Sequence, residues 1–147
     1  QLLGVADPKM LRRIAQTLDA LGVRQALVVH GAGLDEVALH AETRAIRLQD
    51  GELIELEIAP EDAGIERAAL KAVTGGDAAE NAERLRALLS GGGSRPEQDI
   101  VALNTAALLL TAGKVRSLKE GAEQARDALL GGGAGAVLNA FVQASRG

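Results

Sequence analysis

Two apolar stretches, LLGV at residues 2–5 and QALVVH at residues 25–30, flank a segment that opens on Asp7-Pro8 and closes on Gly22. That punctuation constrains the fold more than any other feature of the chain. Asp7 can accept hydrogen bonds from the free N–H groups of a helix start, and proline suits the first turn, where its missing N–H is not needed. Met10, Leu11, Ile14, Leu18 and Leu21 recur at helical spacing, which predicts a single apolar face. Gly22 can take the left-handed conformation that ends a helix. A strand, a helix and a second strand joined by short connections form a βαβ unit, with parallel strands and a right-handed crossover. Ligands of open parallel sheets sit beyond the carboxyl ends of the strands. Residues 30 to 36 lie at such an end and are the first place to look for a site.

Downstream, TRAIRLQDGELIELEI reads as a hairpin turning at Asp50-Gly51. Ile54, Leu56 and Ile58 are expected to face inward and Glu55 and Glu57 outward, with Pro60 ending the strand. The second half is helical. Asp77, Ser94 and Ser117 are each followed three residues later by a glutamate, the pattern of a reciprocal cap at a helix start. Helices are expected over about 78–90, 96–112, 118–130 and 134–144. The expected fold class is α/β: a parallel βαβ start, a β-hairpin, and a helical second half packed on the sheet.

Composition narrows the function. The chain has 147 residues, 47% of them apolar, which is enough for one domain with a real core. Phe141 is the only aromatic residue, so the core must be built from Leu, Ile, Val and Ala. A formal charge of −4 argues against nucleic acid as a partner, because phosphate binding draws on clustered Lys and Arg. With no cysteine there is neither a disulfide framework nor a thiolate metal site. No apolar stretch approaches the ~18 residues of a membrane span. The chain opens on Gln1 inside an apparent core strand, which leads to the expectation that it is part of a longer protein.

The segment ALVVHGAGLDEV at residues 26–37 carries the chief candidate. Four apolar residues suit a buried strand, whereas Asp35 and Glu36 cannot share that burial. Adjacent carboxylates just past a strand suit magnesium, a hard cation that takes oxygen ligands and also binds substrate phosphates. The alternative is a solvated loop pair. Gly31 and Gly33 would let the backbone turn and a ligand approach. His30 could carry a proton, although a histidine at a strand end more often satisfies backbone groups; His40 is a weaker candidate. TGGD at residues 74–77 has the look of a phosphate cradle at a helix start, but it lacks a preceding strand and a P-loop lysine. A glycine turn followed by Asp77 as the cap accounts for it. Asn104, in the apolar helix IVALNTAALLL, reads as a bracket to a neighbouring loop, and Asn81 as a similar one. No Ser-His-Asp or cysteine nucleophile can be assembled, so no catalytic residue is assigned.

Taken in order, QLLGV, LGVRQALVVHGAGLDEV, DGELIELEIAPEDAGI, GGDAAENA and DIVALNTAALLLTAGKVRSLKEGAEQA are similar to the C-terminal part of the anthranilate phosphoribosyltransferases of tryptophan biosynthesis. VVHGAGLDE is the most specific piece. The resemblance implies a nucleoside phosphorylase/phosphoribosyltransferase-like α/β domain, of which residues 1–147 would be the C-terminal part, with a small helical domain outside the chain carrying homodimer contacts. It implies transfer of the phosphoribosyl group from 5-phosphoribosyl 1-diphosphate to anthranilate, with release of diphosphate and a requirement for Mg2+. It also implies that Asp35 and Glu36 bind that magnesium. The family's phosphate loop and its anthranilate-binding arginine would lie upstream of Gln1, so this piece alone is expected to be inactive. A cytoplasmic location is a further expectation, and the resemblance leaves open whether a glutamine amidotransferase partner is attached. The competing readings are a pyrimidine-nucleoside phosphorylase-like enzyme of the same fold and a non-catalytic relative serving as a binding protein.

Overall fold

The computed structural model describes all 147 residues. β1 (Leu2–Gly4) runs parallel to β2 (Gln25–His30), joined by α1 (Leu11–Ala20). β2 then pairs antiparallel with β3 (Thr43–Gln49), and β3 with β4 (Glu52–Ile58), giving one sheet in the order β1-β2-β3-β4. The second half is α2 (Ala78–Leu89), α3 (Arg95–Thr111), α4 (Leu118–Leu130) and α5 (Gly133–Ser145). The α/β class, the parallel start, the hairpin and the four later helices are as the sequence reading expects. No single helix is long and apolar enough to cross a membrane.

The sheet separates two apolar clusters by strand alternation, in which successive side chains point to opposite faces. On one face, Ala26, Val28, Ile46 and Leu48 meet Leu11, Ala15 and Leu18 of α1. On the other, Leu27, Val29, Ala45 and Ile58 meet Leu103 and Ala106 of α3 and Ala122 and Ala125 of α4. The helical half therefore shares its core with the sheet. Small residues dominate this second cluster, which suits a chain almost without aromatic bulk.

The helix starts follow their caps with variations. Asp7 accepts from the Lys9 N–H, but the first turn after it is a 3₁₀ turn at Pro8–Met10, and α1 proper begins one residue later. That shift corrects the expected apolar face: Met10 is 36% and Leu21 74% exposed, while Ala15 is fully buried. Met10 and Leu21 stand outside the regular helix, where its 3.6-residue period no longer sets their direction. β4 is an edge strand, so of its three expected inward residues only Ile58 is buried, with Ile54 and Leu56 half-buried. At α3, the Glu97 carboxylate takes both the N–H and the hydroxyl of Ser94, each at 2.7 Å. At α4, Ser117 accepts from the Glu120 N–H, while the Glu120 side chain reaches the N–H of Arg116. Asp50 and Gly51 take φ of 47° and 88°, the left-handed pair that a two-residue hairpin turn requires.

Candidate functional site

The loop after β2 closes at once on itself. Gly31 N–H donates to the Leu34 carbonyl at 2.9 Å and Leu34 N–H to the Gly31 carbonyl at 3.1 Å. Between them Ala32 and Gly33 take φ of 50° and 100°, so Ala32 sits in a region that L-residues enter at a cost. The chain then folds back across the carboxyl end of β1. A Cβ placed on Gly4 would lie 1.5 Å from the Asp35 carbonyl oxygen, and one on Gly31 would lie 2.3 Å from that of Glu36. Neither position tolerates a side chain. The backbone of the acidic pair thus rests directly on two strand ends.

Two polar residues complete the mounting. His30 is buried, with Nδ1 2.8 Å from the Val5 carbonyl oxygen and Nε2 accepting from the Gly33 N–H at 3.3 Å. A carbonyl can only accept and an amide N–H only donate, so the tautomer protonated on Nδ1 satisfies both. Its ring nitrogens are committed to backbone, and it ties the end of β1 to the loop. Asn104, reaching from α3, accepts the Val37 N–H at 2.8 Å and donates to the Val37 carbonyl at 2.9 Å and to that of Ile100 at 3.0 Å. The bracket expected from the sequence is there, and its partner is the residue that follows Glu36. Val37, Ala38 and Leu39 are then buried to 1% exposure or less.

Asp35 and Glu36 themselves are exposed. Neither carboxylate takes part in any hydrogen bond or ion pair, whereas most of the other clustered acids do, such as Glu61 with Arg67 or Asp99 with Arg95 and Arg126. Enough protein surrounds the Glu36 carboxyl to raise its pKa above the ordinary value, with the Asp35 charge as the second cause. Two hard oxygen donors with unneutralised like charge fit a divalent cation. No group of three or more His, Cys, Asp or Glu side chains converges in the chain. A cation held here would therefore keep most of its coordination positions for water or a phosphate-bearing ligand, the habit of magnesium.

The other candidates separate from this loop. In TGGD, Asp77 accepts from the N–H groups of Ala79 and Glu80, and Asn81 exchanges two bonds with Gly76, both at 2.9 Å. That is a turn closed by its own side chains, as expected. His40 is half-buried and its Nδ1 has no partner. A surface cleft of about 420 Å³ lies between the start of α1 and the β3–β4 hairpin, lined by Lys9, Arg12, Arg44 and Glu55 among others. Arg12 already pairs with Glu55 there, and the acidic pair lies outside the cleft. The contact of Gly4 with Asp35 escaped the sequence reading, although a glycine inside a strand pattern is a known sign of close backbone approach.

Comparison with known proteins agrees with this architecture. An anthranilate phosphoribosyltransferase of Sorangium cellulosum is 49% identical over 146 residues, covering 99% of this chain and 42% of that protein. One from Colwellia psychrerythraea is 46% identical over 89% of this chain and 36% of its own length. Among solved structures, anthranilate phosphoribosyltransferase from Thermus thermophilus superposes with a TM-score of 0.88 at 40% identity, over 98% of this chain and 42% of that one. The Saccharomyces cerevisiae enzyme in complex with PRPP and Mg gives 0.87 at 26% identity, over 97% of this chain and 41% of that one. The chain thus spans about two fifths of the length of these relatives. Residues 1–135 match the family described as glycosyl transferase family, a/b domain. With a mixed sheet between α1 and α3–α4, an acidic loop over its carboxyl rim and that match along most of its length, the chain belongs to the glycosyl transferase family, in its a/b domain.

Proposed function

We propose that this chain forms the C-terminal part of the large α/β domain of an anthranilate phosphoribosyltransferase, and that Asp35 and Glu36 hold the magnesium ion on which the reaction depends. The observation that carries the reading is the pair itself: two carboxylates at the sheet's carboxyl rim, free of any protein partner, on a backbone that Gly4, Gly31, His30 and Asn104 fix. Family membership and the names of the relatives support the substrates.

In the proposed reaction the anthranilate nitrogen attacks C1 of 5-phosphoribosyl 1-diphosphate while the C1–O bond to diphosphate breaks. The nitrogen then sheds a proton. The amine is already a nucleophile, so no covalent intermediate on the protein is needed. Bound magnesium would neutralise the departing diphosphate. Asp35 and Glu36 would hold it at the rim, and their shared anchoring would keep the leaving group in line with the attacking nitrogen. The phosphate loop and the anthranilate-binding residues would come from the rest of the polypeptide, as would the homodimer contacts.

The test is the double variant Asp35→Asn/Glu36→Gln in the full-length protein, assayed by anthranilate consumption with 5-phosphoribosyl 1-diphosphate and Mg2+. Turnover should fall by about 10²-fold or more, with thermal stability kept, because the pair makes no bond that folding relies on. Unaltered kinetics in that variant would remove the metal role.

A further inference from the structure

We propose that Asn104 is a positioning residue for the acidic pair, holding from α3, through the backbone of Val37, the place from which the Glu36 side chain extends; this rests on the metal role assigned above. Asn104 lies 67 residues from Val37 in sequence, and its amide pairs with both the N–H and the carbonyl of that one residue. This two-point bond mimics a strand pairing and fixes the orientation of the Val37 peptide, which a single bond would leave free to swing. Glu36 shares a peptide bond with Val37. Its own side chain has no partner, so what the protein fixes is the backbone position from which that side chain extends. The third bond, to the Ile100 carbonyl one turn back in α3, locks the Asn104 side chain in the rotamer that reaches the loop.

The helix has no structural need of this amide. Ala102, Leu103, Ala106 and Ala107 on either side are fully buried, and an apolar residue at 104 would serve α3 equally well. What a polar residue gains there is a hold on the loop, and the loop's only functional groups are the two acids. Gly4 and Gly31 limit where the loop can lie, but they exert no directional pull. Asn104 supplies one. Groups that orient metal ligands from behind change metal affinity by about 10–100-fold when removed.

The experiment uses the full-length protein and Mn2+ as the probe, with free ion counted by electron paramagnetic resonance, so that no turnover is needed. Asn104→Ala should weaken Mn2+ binding about tenfold or more. Asn104→Asp, which keeps the shape and the bond to the Val37 N–H but loses the donation to its carbonyl, should weaken it in the same direction and guards against misfolding of the alanine variant. Thr111→Val, which removes a side-chain bond to the Ala107 carbonyl on the same helix, should leave Mn2+ binding unchanged even if it lowers the melting temperature. Normal Mn2+ affinity in both Asn104 variants, with affinity lost in Asp35→Asn/Glu36→Gln, overturns the positioning role and leaves the metal role standing. Normal affinity in the Asp35→Asn/Glu36→Gln variant overturns both.

Discussion

Replacing Gly4 by alanine would test whether the loop is seated on β1 as described. The added Cβ would lie 1.5 Å from the Asp35 carbonyl oxygen, 2.2 Å from its carbon and 2.9 Å from its Cα. Ordinary contact begins near 3.4 Å, so the Asp35 peptide must retreat by about 1.9 Å. A methyl has no rotamer that evades the clash, and both opposing groups are backbone. β1 is held by its ladder to β2, which leaves the loop to move. Overfilling of this kind costs about 1–3 kcal/mol of stability. The catalytic cost should be larger, since a misplacement of about 1 Å at a positioned group can cost ~10²-fold in rate. The comparison variant is Gly22→Ala, at the far end of α1. It has φ +80° and nothing within 4 Å, so alanine there brings a backbone penalty of about 1–2 kcal/mol without touching the site. Both variants, made in the full-length protein, should melt a few degrees early. On the function proposed above, only Gly4→Ala should lose anthranilate consumption by about 10²-fold and weaken its Mg2+ dependence. If the two variants differ in rate by less than a factor of two, the loop does not rest on Gly4 in the way the geometry requires.

Two further outcomes concern the scaffold. Leu103 is fully buried at the centre of the α3–sheet cluster, so Leu103→Ala should cost about 2–5 kcal/mol in urea unfolding; a loss below about 1 kcal/mol would mean that the cluster collapses around the gap. The Ser94 N–H, the Ser94 hydroxyl and Arg84 hold the Glu97 pKa at about 2, below the ordinary 4.5. A carboxylate with a depressed folded-state pKa contributes its stability above pH 4.5 and loses it as pH falls towards 2. The side chain is 19% exposed, so the contribution is about 1–2 kcal/mol after screening. Glu97→Gln should remove that part of the acid sensitivity and lower stability at pH 7; an unchanged acid-unfolding profile would refute the cap.

Much of this fold could be read from local signals. Asp7-Pro8 and Gly22 bounded the segment that holds α1, Asp50-Gly51 set the hairpin, and Asp77, Ser94 and Ser117 marked the starts of α2, α3 and α4. Each is a place where one residue type meets a need of the adjacent backbone, so no distant partner had to be known. Errors arose where a pattern met its boundary: Met10 and Leu21 kept the spacing of an apolar face after the regular helix had ended. Asp35 and Glu36 stood out because acids after a buried strand are out of place. What held them in position was less visible. Gly4 and Asp35 are far apart in the chain, and only the parallel pairing of β1 with β2 brings them together. The partner of Asn104 depended likewise on how α3 lies across the sheet, which no local rule contains.

The division of labour in the loop has a physical cause. A carboxylate paired with an arginine is a poorer cation ligand, because the guanidinium already offsets the negative charge that would attract the ion. Asp99 illustrates the other choice: Arg95 and Arg126 saturate it, and it is buried as a strut. For Asp35 and Glu36 to keep their charge on a fixed backbone, rigidity must come from neighbours other than cationic side chains. The loop is held by two glycines that admit the backbone closely, by a histidine with both ring nitrogens on peptide groups, and by one asparagine amide. Replacing any of these by a charged residue would offer the acids an internal partner or force the loop away, so neutral residues are what a chain needs around a site that must present bare negative charge.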